Sequence, residues 1–390
     1  MDLGVTLLVG IAASIFVGFN IGGSSTGVAW GPAVGAGLIK KATAAAVMTF
    51  FVFLGGWTVG RNVIDTLADD IITISISLEA GVAVLFFIGL GILVANVFGV
   101  PVPTSMTTVG AIAGLGLATG TLQWETMGRI VAWWIVTPVI GFWVGGVIGR
   151  YFYPHLDRRF TVASTEGHLL VVDRSGPIPR PVLGPETTNR ELFGTVTVIV
   201  VACYMAFSAG ASNVPNAVAP LVSDGALADD PAIFIATVAI GLGGFTIARR
   251  TMESVGSELS DISLLTAVIV MLTAATITTF LSYIGIPISL VMATVMTIVG
   301  LGWGRASRSI SARDVVQRDV DADVPSMGAL TVDTPKDFPE IGEEEAEAVL
   351  EAGKLFDPRA VKKFVSMWIV GPSLSLGLSY AFFVIVLPFA

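Results

Sequence analysis

Phe19-Asn20-Ile21-Gly22-Gly23-Ser24-Ser25 reappears 188 positions later as Phe207-Ser208-Ala209-Gly210-Ala211-Ser212-Asn213. The same offset relates Gly55-Gly56-Trp57-Thr58-Val59-Gly60-Arg61 to Gly243-Gly244-Phe245-Thr246-Ile247-Ala248-Arg249. Two further pairs follow in the same order. Gly99-Val100-Pro101-Val102 matches Gly285-Ile286-Pro287-Ile288 at an offset of 186, and Trp134-Ile135-Val136-Thr137-Pro138 matches Trp368-Ile369-Val370-Gly371-Pro372 at 234. The last offset grows because an acidic stretch is inserted in the second half. Four ordered matches amount to a duplication, whereas Gly-Gly pairs alone mean little in a chain with 44 glycines.

The duplicated unit is apolar. Of 390 residues 54% are hydrophobic and 13% charged, with a mean hydropathy of +0.82. Soluble domains carry about a quarter charged residues, so lipid is the solvent this composition requires. Stretches near the roughly 20 apolar residues of a membrane-crossing helix fall at 3–19, 42–60, 78–98, 127–151, 192–209, 232–248, 262–281 and 365–389. Shorter pieces at 24–39, 103–118, 212–222 and 287–303 are rich in Gly, Ser, Thr and Pro, as half-helices or re-entrant segments are. The first stretch lacks a basic leader and runs straight into the Gly-rich motif, which makes it a retained span.

The expected fold is therefore all-α: a polytopic membrane protein of two inverted repeats with broken or re-entrant helices. Its expected divisions are a first membrane repeat at 1–151, a soluble linker at 152–191 and the first part of the second repeat at 192–304. An acidic soluble insertion at 305–363 and a last transmembrane helix at 364–390 complete it. Duplicated halves with interrupted helices are the pattern of secondary transporters, whose substrate site lies near the bilayer midplane between the halves.

Several classes are disfavoured. A net charge of −9 and a pI near 4.8 argue against nucleic-acid binding. Cys203 is the single cysteine, so no internal disulfide or cysteine metal centre can form. His155 and His168 both fall in a polar loop. With no His/Cys cluster, no Ser–His–Asp arrangement and no nucleotide phosphate loop, the chain reads as neither an enzyme nor an ATP-driven pump. It calls for no cofactor and no metal centre.

The candidate ligand residues are the hydroxyls and amides of the repeated motifs. Ser24, Ser25 and Thr26 follow Gly22-Gly23, where a broken helix would aim its positive end at an anion. Ser212, Asn213 and Asn216 occupy the matching place in the second half. Thr104 and Ser105 follow Pro103 at the start of a short segment, and Ser289 is what remains of them in the second copy. The bland alternative for each motif is tight helix packing with local Ser/Thr hydrogen bonds. Recurrence at matched positions tips the reading towards a site. Arg61 and Asp65, like Arg249 and Glu253, stand one helical turn apart and suit ion pairs at the membrane boundary.

At these motifs the chain resembles the inorganic phosphate transporter (PiT) family, which carries two copies each of Gly-Ala-Asn-Asp-x-x-Asn-Ala and Pro-Val-Ser-Thr-Thr-His. Residues 22–37 and 210–220 align with the first motif, and 101–106 and 287–292 with the second. The departures are specific. Ser24-Ser25 and Ser212-Asn213 replace the family's Asn-Asp, Val28 replaces a later Asn that persists as Asn216, Pro103 replaces the Ser, and Met106 and Met292 replace the His. The family's Asp residues are associated with sodium coupling and phosphate binding, so the coupling ion, Na⁺ or H⁺, is open here. The stretch from Asn20 to Ser25 also resembles a branch that includes sulfate permeases.

The resemblance implies a multi-pass protein of the cell membrane that moves inorganic phosphate by ion-coupled symport, with a homodimer as a candidate assembly. Sulfate or a related oxyanion is the alternative substrate. A passive anion channel and a transport-inactive scaffold are the competing classes.

Overall fold

A computed structural model of the chain describes residues 3–97, 103–158, 170–173, 180–183, 188–246, 263–307 and 358–386. Helices account for nearly all of them. The first half contains α1 (Leu3–Gly35), α2 (Lys41–Trp57), α3 (Gly60–Asp65, extended by a wider turn at Thr66–Asp70), α4 (Leu78–Val97), α5 (Thr104–Thr119) and α6 (Trp124–Val147). A second wide turn, Ile148–Phe152, and the short α7 (Tyr153–Asp157) close it. After a two-stranded antiparallel pair, β1 (Leu170–Asp173) and β2 (Arg180–Leu183), come α8 (Asn189–Val222), α9 (Asp229–Thr246), α10 (Leu264–Tyr283), α11 (Leu290–Ala306) and α12 (Pro358–Val386).

Among the described residues five helical segments are long and apolar enough to cross a bilayer, and a sixth is the pair α2–α3, bent by 61° at its break. The outward faces carry large apolar side chains such as Phe50, Ile135, Trp143, Phe234, Phe280, Ile369 and Ile385. In water they would form an apolar surface far beyond a monomer's usual patch; against lipid they cost nothing.

Two of the four expected short pieces are separate short helices, α5 and α11. The other two are not. Residues 24–35 continue α1 and residues 212–222 continue α8, which run for 33 and 34 residues. No helix starts at Gly22 or Gly210, so the positive ends expected there are absent. Pro32, Pro215 and Pro220 sit inside these helices. Each removes one ladder bond, which packed neighbours and side-chain donors tolerate in a membrane bundle. The start of α8 is fixed by a capping box: Glu191 N–H donates to Thr188 Oγ1 at 3.3 Å and Thr188 N–H to Glu191 Oε2 at 2.7 Å.

The core is built from contacts in exchanged pairs. Gly55 of α2 lies against the Phe207 carbonyl of α8, and Gly243 of α9 lies against the Phe19 carbonyl of α1. Gly22 meets the Ile240 carbonyl while Gly210 meets that of Val52. In each pair one contact becomes the other when both residues shift by the repeat offset. A Cβ at any of the four glycines would overlap a backbone carbonyl. Around this core, α5 packs on α12 and α6 on α11. Gly114 meets the Leu376 carbonyl, and Gly300 meets that of Phe142. Ser375 and Ser379 hydroxyls donate to the Thr107 and Ala111 carbonyls at 2.8 and 2.7 Å. Their counterparts in the first half are Gly141 and Gly145, which face the Ala293 and Thr297 carbonyls.

Arg61 does not pair with Asp65. Its guanidinium donates to Asp230 at 2.5 Å, lies 3.7 Å from Asp229 at the start of α9 and stacks over Trp57. The bend between α2 and α3 turns it across to the other half. Arg249, Glu253 and most of the acidic insertion lie outside the described residues.

Candidate functional site

Ser212, Asn213 and Asn216 share one face of α8, being separated by one residue and one helical turn. The first turn of α5 meets that face. Thr104 Oγ1 donates to Asn213 Oδ1 at 2.7 Å. Ser105 Oγ donates to the Ile288 carbonyl at 3.0 Å and lies 3.4 Å from the Ser212 carbonyl. Asn216 Nδ2 donates to the Ser212 carbonyl at 3.0 Å and to Ser105 Oγ at 3.1 Å, with Thr104 Oγ1 at 3.4 Å. Ser105, Ser212 and Asn216 are wholly buried, and Thr104, Asn213 and Ser289 nearly so.

Ile288 reaches Ser105 because α10 ends in a tight turn. Gly285 has φ 76° there, a left-handed conformation that glycine adopts without a Cβ penalty. The chain then runs through Pro287 to Ser289, whose hydroxyl accepts from Met292 N–H at 3.4 Å and caps α11. The α5 end has no side-chain cap, since Pro103 offers none. Its first-turn N–H groups have no intrahelical acceptor. The α5 N-terminus thus meets the α8 face, and the start of α11 is joined to it through Ser105 and the Ile288 carbonyl; such helix ends favour anions. The dipoles anticipated at Gly22 and Gly210 are supplied by α5 and α11 instead.

Six of the nine sequence candidates therefore lie within or beside one buried polar cluster: Thr104, Ser105, Ser212, Asn213, Asn216 and Ser289. Ser24, Ser25 and Thr26 belong to α1 by backbone; their side chains lie outside the described residues. Beside the cluster, Met106, Met292 and Trp368 pack together with Trp134 against them. Trp134 Nε1 donates to the Pro287 carbonyl at 2.9 Å, holding the segment before α11. This role was hidden in the Trp-Ile-Val-x-Pro repeat, which marked the position without its partner.

The cluster consists of hydroxyls, amides and carbonyls. Among the described residues no group of three or more His, Cys, Asp or Glu is placed to hold a metal. A cleft of about 640 Å³ lies elsewhere, lined by Val34, Lys40 and Lys41 near the α1–α2 connection and by Gly244 and Phe245 of α9. It shares no lining residue with the cluster.

Fold and site together define a polytopic, all-α membrane protein with a buried polar site at converging helix ends. Residues 21–379 match the model of the phosphate transporter family, and the chain belongs to that family. Family and fold are those of transporters. The sulfate permease CysP of Bacillus subtilis (strain 168) is 29% identical over 80% of this chain and 81% of its own length. The chloroplastic inorganic phosphate transporter 2-1 of Arabidopsis thaliana is 24% identical over 80% of this chain and 67% of its own. A solved structure titled as the sodium-dependent phosphate transporter superposes with a TM-score of 0.68, covering 99% of this chain and all of that one, at 18% identity.

Proposed function

We propose that the chain is a secondary transporter that moves inorganic phosphate across the cell membrane by ion-coupled symport. The buried cluster is its substrate site. The observation that carries this reading is the meeting of the α5 N-terminus with Asn213 and Asn216 of α8 and, through Ser105, with the Ile288 carbonyl just before α11, within a chain of the phosphate transporter family. Helix-end N–H groups supply the donors a tetrahedral oxyanion needs without a fixed cation. By the repeat offset Ser24 and Ser25 are the counterparts of Ser212 and Asn213, and with Thr26 they are assigned to the same site on that ground.

The contacts of Gly55 and Gly243 with the Phe207 and Phe19 carbonyls, and of Gly22 and Gly210 with those of Ile240 and Val52, exchange under the repeat offset and support two inverted repeats. A two-fold relation is what makes residue i touch j while j's counterpart touches i's. The repeats are 1–151 and 192–304 with 364–390; 152–191 is the linker and 305–363 the insertion. Sulfate is the second reading, favoured by the likeness to a sulfate permease and by the absence of a carboxylate from the cluster among the described residues.

Purified protein in proteoliposomes, given labelled phosphate or sulfate with imposed Na⁺ or H⁺ gradients, tests the proposal. Saturable phosphate uptake driven by a gradient is the expected result. Unsaturable flux would indicate a channel, and binding without uptake a scaffold.

A further inference from the structure

Hydrogen-bond accounting in the cluster leaves one atom over. The Thr104 proton goes to Asn213 Oδ1 and the Ser105 proton to the Ile288 carbonyl. The amide orientation of Asn216 follows from its neighbours. The Ser212 carbonyl can only accept, and Ser105 Oγ, having given its proton away, also accepts; both therefore face Nδ2. Asn216 Oδ1 is thereby turned to the other side, where it is wholly buried and without a hydrogen-bond partner. The other buried, unpartnered side-chain atoms among the described residues belong to Ser, Thr and Trp, each a group with a proton to give. Asn216 Oδ1 alone is a pure acceptor, and an acceptor left unfilled costs its full desolvation.

From this geometry we infer that Asn216 Oδ1 accepts the proton of a protonated oxyanion, so that Asn216 sets the preference for hydrogen phosphate over sulfate. The inference rests on the proposed transport reading. Hydrogen phosphate carries an O–H at neutral pH; sulfate has none, and its oxygens would meet Oδ1 as one acceptor meets another. A bare cation fits less well. A hard cation collects several oxygens, yet Ser105 Oγ, Asn213 Oδ1 and the Ser212 carbonyl already accept hydrogen bonds. One free neutral oxygen matches one O–H.

Equilibrium competition against labelled phosphate on the purified full-length protein tests this, with arsenate, sulfate and monofluorophosphate as probes. Arsenate keeps the proton, whereas monofluorophosphate is hydrogen phosphate with the O–H replaced by fluorine. Arsenate should compete within about threefold of phosphate, and both proton-free anions about tenfold or more weaker, the factor of one hydrogen bond to a charged ligand. Asn216→Ala should narrow that gap mainly by weakening phosphate. Monofluorophosphate or sulfate binding as tightly as phosphate to the unmodified protein would overturn the inference, even should the variant fail to fold. An Asn216→Ala protein that loses Na⁺ dependence while keeping the anion ranking would assign Oδ1 to a cation and overturn it equally. Uptake is scored separately: binding with the predicted ranking but no uptake defeats the transport reading, and uptake without the ranking defeats only the role of Asn216.

Discussion

Ser105 illustrates how one hydroxyl holds three elements. It belongs to α5, donates to the carbonyl before α11 and accepts from Asn216 of α8. Ser105→Ala leaves two buried carbonyl contacts weakened and one amide proton without its acceptor, a penalty of about 1–3 kcal/mol. Calorimetric titration should show phosphate affinity falling roughly tenfold or more. Unchanged affinity would mean that the cluster only packs helices. Asn213→Ala removes the acceptor of the Thr104 proton and should behave alike. Arg61 makes the opposite case. It is an exposed ion pair of the kind worth at most about 1 kcal/mol, so Arg61→Ala should barely move the melting temperature.

At the scale of elements, the glycines at the exchanged contacts set how closely the long helices approach. A methyl group at Gly55 or Gly243 would collide with the Phe207 or Phe19 carbonyl, and a backbone atom cannot rotate away. Gly55→Ala and Gly243→Ala should each destabilise the bundle by about 1–3 kcal/mol, read as a lower melting temperature in detergent. If the two positions are related by the repeat, their effects should be similar in size. Gly128, where a Cβ meets nothing within 4 Å, is the control. The hydroxyl contacts of α12 are lesser devices. Ser379→Ala should cost under about 2 kcal/mol, the range of interhelical hydrogen bonds in membranes.

For the whole molecule the open question is coupling. Sodium in a buried site needs oxygens, and a carboxylate adds the charge that offsets dehydration. Ser25 and Asn213 stand where the family motif has Asp, and the described cluster is neutral throughout. Phosphate uptake should therefore depend weakly on Na⁺, with a proton gradient as the driving force of the symport; uptake driven by the phosphate gradient alone would replace symport by uniport. Replacing Na⁺ by K⁺ should leave most of the flux; its disappearance would show that neutral ligands hold Na⁺ well enough. The double change Ser25→Asp and Asn213→Asp should raise the Na⁺ dependence.

Composition alone determined that the chain lives in lipid, because 13% charged residues cannot cover a soluble surface of this size. The ordered repeats marked α5 and α11 as short helices beginning after proline, since such signals are local. The same repeats indicated Thr104, Ser105, Ser212, Asn213, Asn216 and Ser289, which lie within or beside the buried polar cluster, because matched positions share chemistry. Tertiary packing decided the rest. Gly22 and Gly210 read as helix breaks, yet α1 and α8 run through them, since a glycine inside a bundle is held helical by the neighbour it lets approach. Arg61 read as the partner of Asp65, but the bend after Trp57 carries it to Asp229 and Asp230. That Asn216 gives both amide protons away and keeps its oxygen unfilled depends on three elements distant in sequence meeting at one point, which no local pattern encodes.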